Sequence, residues 1–304
     1  MDAQTFQSLP TDSVARLVSQ AGDKVVVFPI NGTRRWFLLE HAPRPEEDWL
    51  ATYLEVAGQR HIELYRLFFD HGLRTLVTPV FGPDLLERGG EYMQVFVDGL
   101  VRIATGAEFV DFYDTCQVRV RFYGDYRAFF APTPYAYLSD LFDEAAERTR
   151  QHGRFRLFFG VCAQDATETV ANLAVSYYAQ NGNVPDRETL VRMYYGEDVG
   201  PVDLFVGFDK FSAFDMPLIS TGNEDLYFTV APSPYMTQSQ LRDILYDHLY
   251  ARRGGEPDYG AMEADDWQRM RAFYRLNRDR TLGIGTKRGP IWYPRGRVEP
   301  PDGA

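Results

Sequence analysis

Cysteine is scarce. Only Cys116 and Cys162 occur in 304 residues, far apart and outside any CxxC or Cys/His spacing, which excludes a disulfide-stapled scaffold and predicts free thiols in a reducing compartment. Lysine is scarce too, with Lys24, Lys210 and Lys287 the whole set, so the basic residues are almost all arginines. The formal net charge is −11 and the pI near 5.0. The positive surface field that nonspecific nucleic-acid binding needs is therefore missing, and no nucleic-acid polymer is expected as a partner. No apolar run approaches the ~18 residues of a membrane span. The start, MDAQTFQSLPTDS, lacks the basic and apolar regions of a signal peptide. A cytoplasmic protein with no transmembrane segment is expected.

Several familiar active-site patterns are also missing. There is no GxxxxGK[ST] phosphate loop and no GxSxG nucleophile elbow. The glycine-rich stretch Gly283–Gly289 has the wrong spacing for a dinucleotide fingerprint and reads as a loop near the C-terminus. His41, His61, His71, His152 and His248 show neither HxxxH nor HxH spacing, so zinc has no evident site. His61 and His248 fall on apolar helix stripes, which favours a hydrogen-bonded core or interface role over a catalytic one. The acidic run Asp140-Leu141-Phe142-Asp143-Glu144 has no adjacent aspartate pair and reads as a solvated helix face.

What is present is an ample apolar supply, 45% hydrophobic and 15% aromatic, arranged with two alternating periods. Short β-rich runs occur at 24–30, 73–81, 117–123, 154–161, 202–207 and 226–230. Most are continuously apolar, as strands covered on both faces should be. Helical stretches lie between and after them, over 46–71, 91–105, 137–152, 165–181, 187–194, 237–253 and 263–277. In the first of these Leu50, Leu54, Ala57, His61, Leu64 and Phe68 recur every three or four residues, with Gly72 as the stop. Strand and helix alternating along the chain predict an α/β fold, one domain with a mostly parallel sheet flanked by helices, over residues 1–293. Residues 294–304 form a polar tail.

In parallel sheets ligands bind beyond the carboxyl ends of the strands. The first run leads directly into Asn31-Gly32-Thr33-Arg34-Arg35-Trp36. Two readings are open here: an ordinary turn with two solvated arginines, or a diphosphate site in which backbone N–H groups and guanidinium forks share the charge.

FPINGTRRWF resembles the phosphate-binding segment of the cis-prenyltransferases (the undecaprenyl diphosphate synthase family), Asp-Gly-Asn-Gly-Arg-Trp. In register, Asn31 falls on that family's aspartate, Gly32 on its glycine, Thr33 on its asparagine, and Arg35 and Trp36 on its Arg-Trp. VRVRFYGD and DLYFT resemble two further strands. GTRRWF, FYGDY, YYGE, FSAFDMPL, LYFTVAPS, ILYDHLY and PDYGAM are similar to a diterpene-synthase offshoot of the family, of the tuberculosinyl adenosine transferase and isotuberculosinol synthase type. The likeness misses only the tail and the 44–49 region.

The resemblance implies a six-stranded parallel sheet, a homodimer, and an allylic C20 diterpenyl diphosphate supplied by an upstream class II cyclase. It implies that Asn31, Arg34, Arg35 and Tyr53 are catalytic, and that Gly32, Thr33, Arg34, Arg35 and Ser212 bind the diphosphate. Asp225 would take the place of a metal-linked glutamate, with magnesium as cofactor, weakened because asparagine at 31 carries no charge. Chain-elongating relatives hold a second diphosphate through an arginine-rich segment. Gly207–Ser212 stands there instead, with Lys210 and Ser212 as the remaining counterparts, so elongation is disfavoured. The implied reaction is ionisation followed by capture of the cation, by water to give a diterpene alcohol or, alternatively, by a nucleoside such as adenosine. The RPEEDW insertion and Asn31 favour water.

Overall fold

A computed structural model describes residues 1–41, 49–81, 90–163, 165–213, 216–253, 258–296 and 298. The chain opens with α1 (Ala3–Ser8) and α2 (Thr11–Gln20), then β1 (Val25–Val27), α3 (Thr33–His41), α4 (Trp49–Asp70) and β2 (Thr75–Phe81). It continues through α5 (Gly90–Thr105), α6 (Ala107–Cys116), β3 (Val118–Tyr123), α7 (Tyr126–Phe130), α8 (Leu138–Arg148) and β4 (Phe155–Val161). There follow α9 (Thr167–Asn181), α10 (Arg187–Tyr195), β5 (Leu204–Phe208), β6 (Asp225–Thr229) and α11 (Gln238–Tyr246), which runs on into a π-helical turn at Asp247–Ala251. The chain closes with α12 (Ala264–Asn277) and the antiparallel hairpin β7 (Gly285–Arg288) and β8 (Ile291–Pro294).

The first six strands form one parallel sheet in the order β3-β4-β2-β1-β5-β6. Each of the six β-rich runs became one strand, the first four trimmed and the last two shifted, with β5 running on to Phe208 and β6 beginning at Asp225. The apolar continuity has the expected cause: successive valines of β1 face different cores. Val26 packs with α4, α5 and α6 through Leu64, Phe68, Leu100 and Phe109. Val25 and Val27 pack on the other face with Val191, Tyr194 and Tyr195 of α10. At ~25 cal/mol per Å² of apolar surface removed from water, these two layers dominate the stability of the fold.

The topology places the site. β1 is central, with β2 on one side and β5 on the other, so the connections leave β1 in one direction and return on its other flank at β5. Such a reversal opens a crevice beyond the carboxyl ends of the two strands.

Four parts of the chain depart from the sequence expectation. The arginine segment is helical from Thr33, so the turn is only Asn31–Gly32. The helices α1, α2, α6 and α7 were not anticipated; α1 and α7 are only 6 and 5 residues long, and α6 has no side-chain cap at Gly106. The Gly283–Gly289 loop is in part the strand β7, pinned by Trp292 against Gly285. Pro294, the expected first residue of the tail, ends β8; residues 299–304 lie outside the described residues. Both cysteines are free thiols, and burial pushes the Cys162 thiol up to about 12.

Candidate active site

The Asn31–Gly32 turn is fixed by contacts that only a glycine tolerates. Gly32 has φ +77°, and a Cβ there would lie 2.9 Å from Cε1 of Phe208 and from Cβ of Pro232. The backbone of Asn31 is held by Ser233: the Ser233 hydroxyl accepts from the Asn31 N–H at 3.1 Å, and the Ser233 N–H donates to the Asn31 carbonyl at 3.0 Å. Ser233 is 1% exposed. Its loop is tied to α4 by Arg60, whose guanidinium donates to the carbonyls of Pro234 at 2.8 Å and Met236 at 3.1 Å. Reading the sequence gave Ser233 and Arg60 no role. The signal available was the LYFTVAPS segment, but a cross-chain backbone clamp has no local spacing to reveal it.

Because α3 starts at Thr33, Arg34 and Arg35 stand on its first turn, where the helix dipole and the first N–H groups favour an anion. Both side chains are exposed. Arg34 lies over the Trp49 ring, 5.3 Å from guanidinium carbon to centroid. Arg35 lies over the Phe208 ring at 5.4 Å and pairs with Asp209 at 3.5 Å. Cation–π contacts of ~0.5–1 kcal/mol each at exposed sites orient such groups without neutralising them.

Below the turn, a cavity of about 150 Å³ runs between α4 and α5, with Asn31 and Ile30 at one end. Its walls are apolar: Leu54, Ala57, Val80, Val95, Phe96, Leu100, Ile103 and Phe109. Tyr53 lines it and packs edge-on against Phe37 at 5.4 Å and Trp49 at 5.9 Å, so the ring cluster beneath Arg34 borders the cavity. Three polar side chains enter it deeper. His61 faces Thr33, Nε2 to Oγ1 3.3 Å. Burial lowers its pKa to about 4, so the imidazole is neutral at physiological pH. Tyr65 is fully buried and its phenol is raised by burial. Arg102, also on the lining, is paired with Glu108. The structure moves His61 from a packed core position to the wall of a cavity.

The structure brings Asn31, Gly32, Thr33, Arg34, Arg35 and Tyr53 to one opening. Ser212 lies exposed on the turn after β5, its N–H donating to the Lys210 carbonyl at 2.8 Å. Asp225 is elsewhere. It begins β6, opposite Leu204 at the start of β5, so it lies at the far edge of the sheet, about 13 Å down the strand at ~3.3 Å per residue. Its carboxylate pairs with His248 at 2.7 Å and lies 3.5 Å from Arg252. The parallel register therefore puts position 225 at the opposite end of the strands from Asn31. The described residues do not assemble a magnesium site. Asn31 offers a neutral amide oxygen, the neighbouring carboxylate, Asp209, is paired with Arg35, and no cluster of three acidic, histidine or cysteine side chains occurs among the described residues.

No protein-family profile matches the chain. Among curated proteins it is 42% identical over 293 residues to a tuberculosinyl adenosine transferase from Mycobacterium tuberculosis, covering 96% of this chain and 97% of that one. It is 25% identical to a (+)-kolavelool synthase from Herpetosiphon aurantiacus, covering 91% of each. Among solved structures it matches lavandulyl diphosphate synthase from Lavandula x intermedia with a TM-score of 0.60 at 14% identity, over 77% of this chain and 98% of the other. A probable undecaprenyl diphosphate synthase from Campylobacter jejuni matches with a TM-score of 0.53 at 12% identity, over 76% and 97%. These two give the fold.

Proposed function

The chain belongs to the family of the tuberculosinyl adenosine transferase, built on the cis-prenyltransferase fold, and from that premise we propose that it ionises a bicyclic C20 diterpenyl diphosphate. The single observation that carries this reading is a pair of arginines on the first turn of α3, at the mouth of an apolar cavity. The diphosphate sits against the N–H groups of Gly32 and Thr33 and the forks of Arg34 and Arg35. The allylic C–O bond breaks with its electron pair leaving on the diphosphate, whose developing charge these donors stabilise. The cation remains in the cavity, faced by Tyr53, Phe96 and Phe109. Water closes the step: its oxygen bonds to the allylic carbon and gives up a proton. With His61 held near 4, the departing diphosphate is the stronger base in reach and takes that proton.

The products are a diterpene alcohol and diphosphate. The bicyclic substrate is the kind a class II diterpene cyclase makes. Asn31 contributes an acceptor oxygen at the opening and no charge, and no step is assigned to magnesium. As in the sequence reading, the chain acts as a homodimer, and residues 1–293 form the catalytic domain. No helix among the described residues is long and apolar enough to cross a membrane.

A second reading, capture of the same cation by adenosine, is favoured by the 42% identity to a protein named for that transfer. The insertion at 44–49, which argued for water, lies largely outside the described residues. A product assay with labelled diterpenyl diphosphate, run with and without adenosine, separates them. We expect labelled alcohol in both. An adenosine adduct as main product reverses the order, and no diphosphate release from any C20 allylic diphosphate sinks both readings.

A further inference from the structure

Asp209 puts a carboxylate where a diphosphate site should least tolerate one. It follows the last residue of β5, on the flank of the crevice opposite the Asn31–Gly32 turn. Its oxygen Oδ2 is 3.5 Å from Nη1 of Arg35, and its side chain is 17% exposed against 47% for the arginine. The same Phe208 ring that Arg35 covers also fills the space that a side chain at 32 would need. Gly32, Phe208, Asp209 and Arg35 thus form one packed unit across the β1/β5 reversal. The placement is not incidental to an easy backbone. Asp209 has φ +68°, the left-handed region that suits glycine, and its N–H is held by the Thr229 carbonyl at 3.1 Å.

We propose that Asp209 is a specificity-determining residue of this site, the counter-ion that a diphosphate must displace from Arg35. The inference rests on the diphosphate reading above. A site with two arginines, helix N–H groups and no opposing charge would hold its own product tightly, and product release then limits turnover. A half-buried carboxylate on one guanidinium weakens that grip, because like charges this close cost several-fold in affinity even at the effective dielectric of a protein surface. It also leaves the flank of β5 acidic, unsuited to a second diphosphate.

The test uses the full chain and inorganic diphosphate, with binding followed by calorimetry and product inhibition by kinetics. Asp209→Asn and Asp209→Gly both suit a left-handed backbone, so folding is preserved and melting temperature stays level or rises. We expect each to tighten diphosphate binding about tenfold, ~1.4 kcal/mol, and to strengthen product inhibition to match. In an Arg35→Ala background the same change should move the Kd less than twofold. Unchanged or weaker binding in both Asp209 variants overturns the proposal, as does equal tightening with and without Arg35, or no diphosphate binding by any form. The underlying reading fails separately: Arg34→Ala and Arg35→Ala would then leave wild-type diphosphate affinity intact.

Discussion

At the edge of the sheet where the strands begin, charges close on one another. Lys24, 8% exposed, pairs with Asp203 at 3.2 Å, and the other oxygen of Asp203 accepts the Val25 N–H at 2.8 Å. Asp225 pairs with His248, and the buried Arg242 donates to the carbonyls of Gln7 and Leu9 at 2.6 and 2.8 Å, tying α1 to α11. At the edge where the strands end, the two guanidiniums of α3 stay exposed and rest on rings. The backbone there takes left-handed turns at Gly32 and Asp209. The same residue types thus serve stability at one edge and, in the function proposed above, diphosphate capture at the other. What differs is whether the charge is buried among backbone and side-chain partners, or stands exposed on a helix N-terminus in front of an apolar cavity.

The contrast breaks most visibly at the arginines. Arg34→Ala and Arg35→Ala should each lower diphosphate release ~10²–10³-fold while leaving thermal unfolding almost unmoved, because removal of one electrostatic donor has that size. Stopped assays of diphosphate release alongside melting curves check both halves. Equal loss of stability and activity would erase the distinction between the edges.

The next effect is a pH dependence from the cavity wall. His61 titrates near 4 in the fold and 6.5 in its absence, so between those values the unfolded chain binds more protons. Stability is full above about 6.5 and falls as pH drops toward 4, by up to ~3 kcal/mol at 1.36 kcal/mol per unit. Chemical denaturation from pH 7.5 to 4.5 should show this decline, and His61→Gln should flatten it. A decline that persists unchanged in His61→Gln would assign it to other groups.

The smallest effect belongs to the stabilising edge. Asp203→Ala leaves Lys24 buried without its partner and the Val25 N–H without its acceptor, and should cost about 2 kcal/mol of stability. Its kcat should stay within twofold of wild type. A loss of turnover larger than the loss of stability would mean that the two edges are coupled.

The fold was legible where one period of hydrophobicity ran uninterrupted. Six apolar runs became six strands, and the stripe containing Leu54, Ala57 and Phe68 became α4, because burial on two faces or on one stripe leaves a mark in the chain itself. The short helices α1, α2, α6 and α7 were missed, and so was the hairpin of β7 and β8. At the site, the resemblance brought Asn31, Gly32, Thr33, Arg34, Arg35 and Tyr53 to notice, and they share one opening. It also carried Asp225, which the register places at the opposite end of the strands, beside His248. A motif preserves the order of residues, whereas a metal site depends on which edge of the sheet they reach.

The amino-acid sequence alone determined the layered α/β class, the glycine turn after the first strand and the paired arginines behind it, since all three are local consequences of side-chain size, period and charge. Tertiary structure decided the rest. It set Ser233 and Arg60, two hundred positions and thirty positions away from Asn31 in round terms, as clamps on the turn. It also turned His61 toward a cavity and placed Asp209 on Arg35. These are encounters between distant segments, made by strand order and helix packing, and no local pattern encodes them.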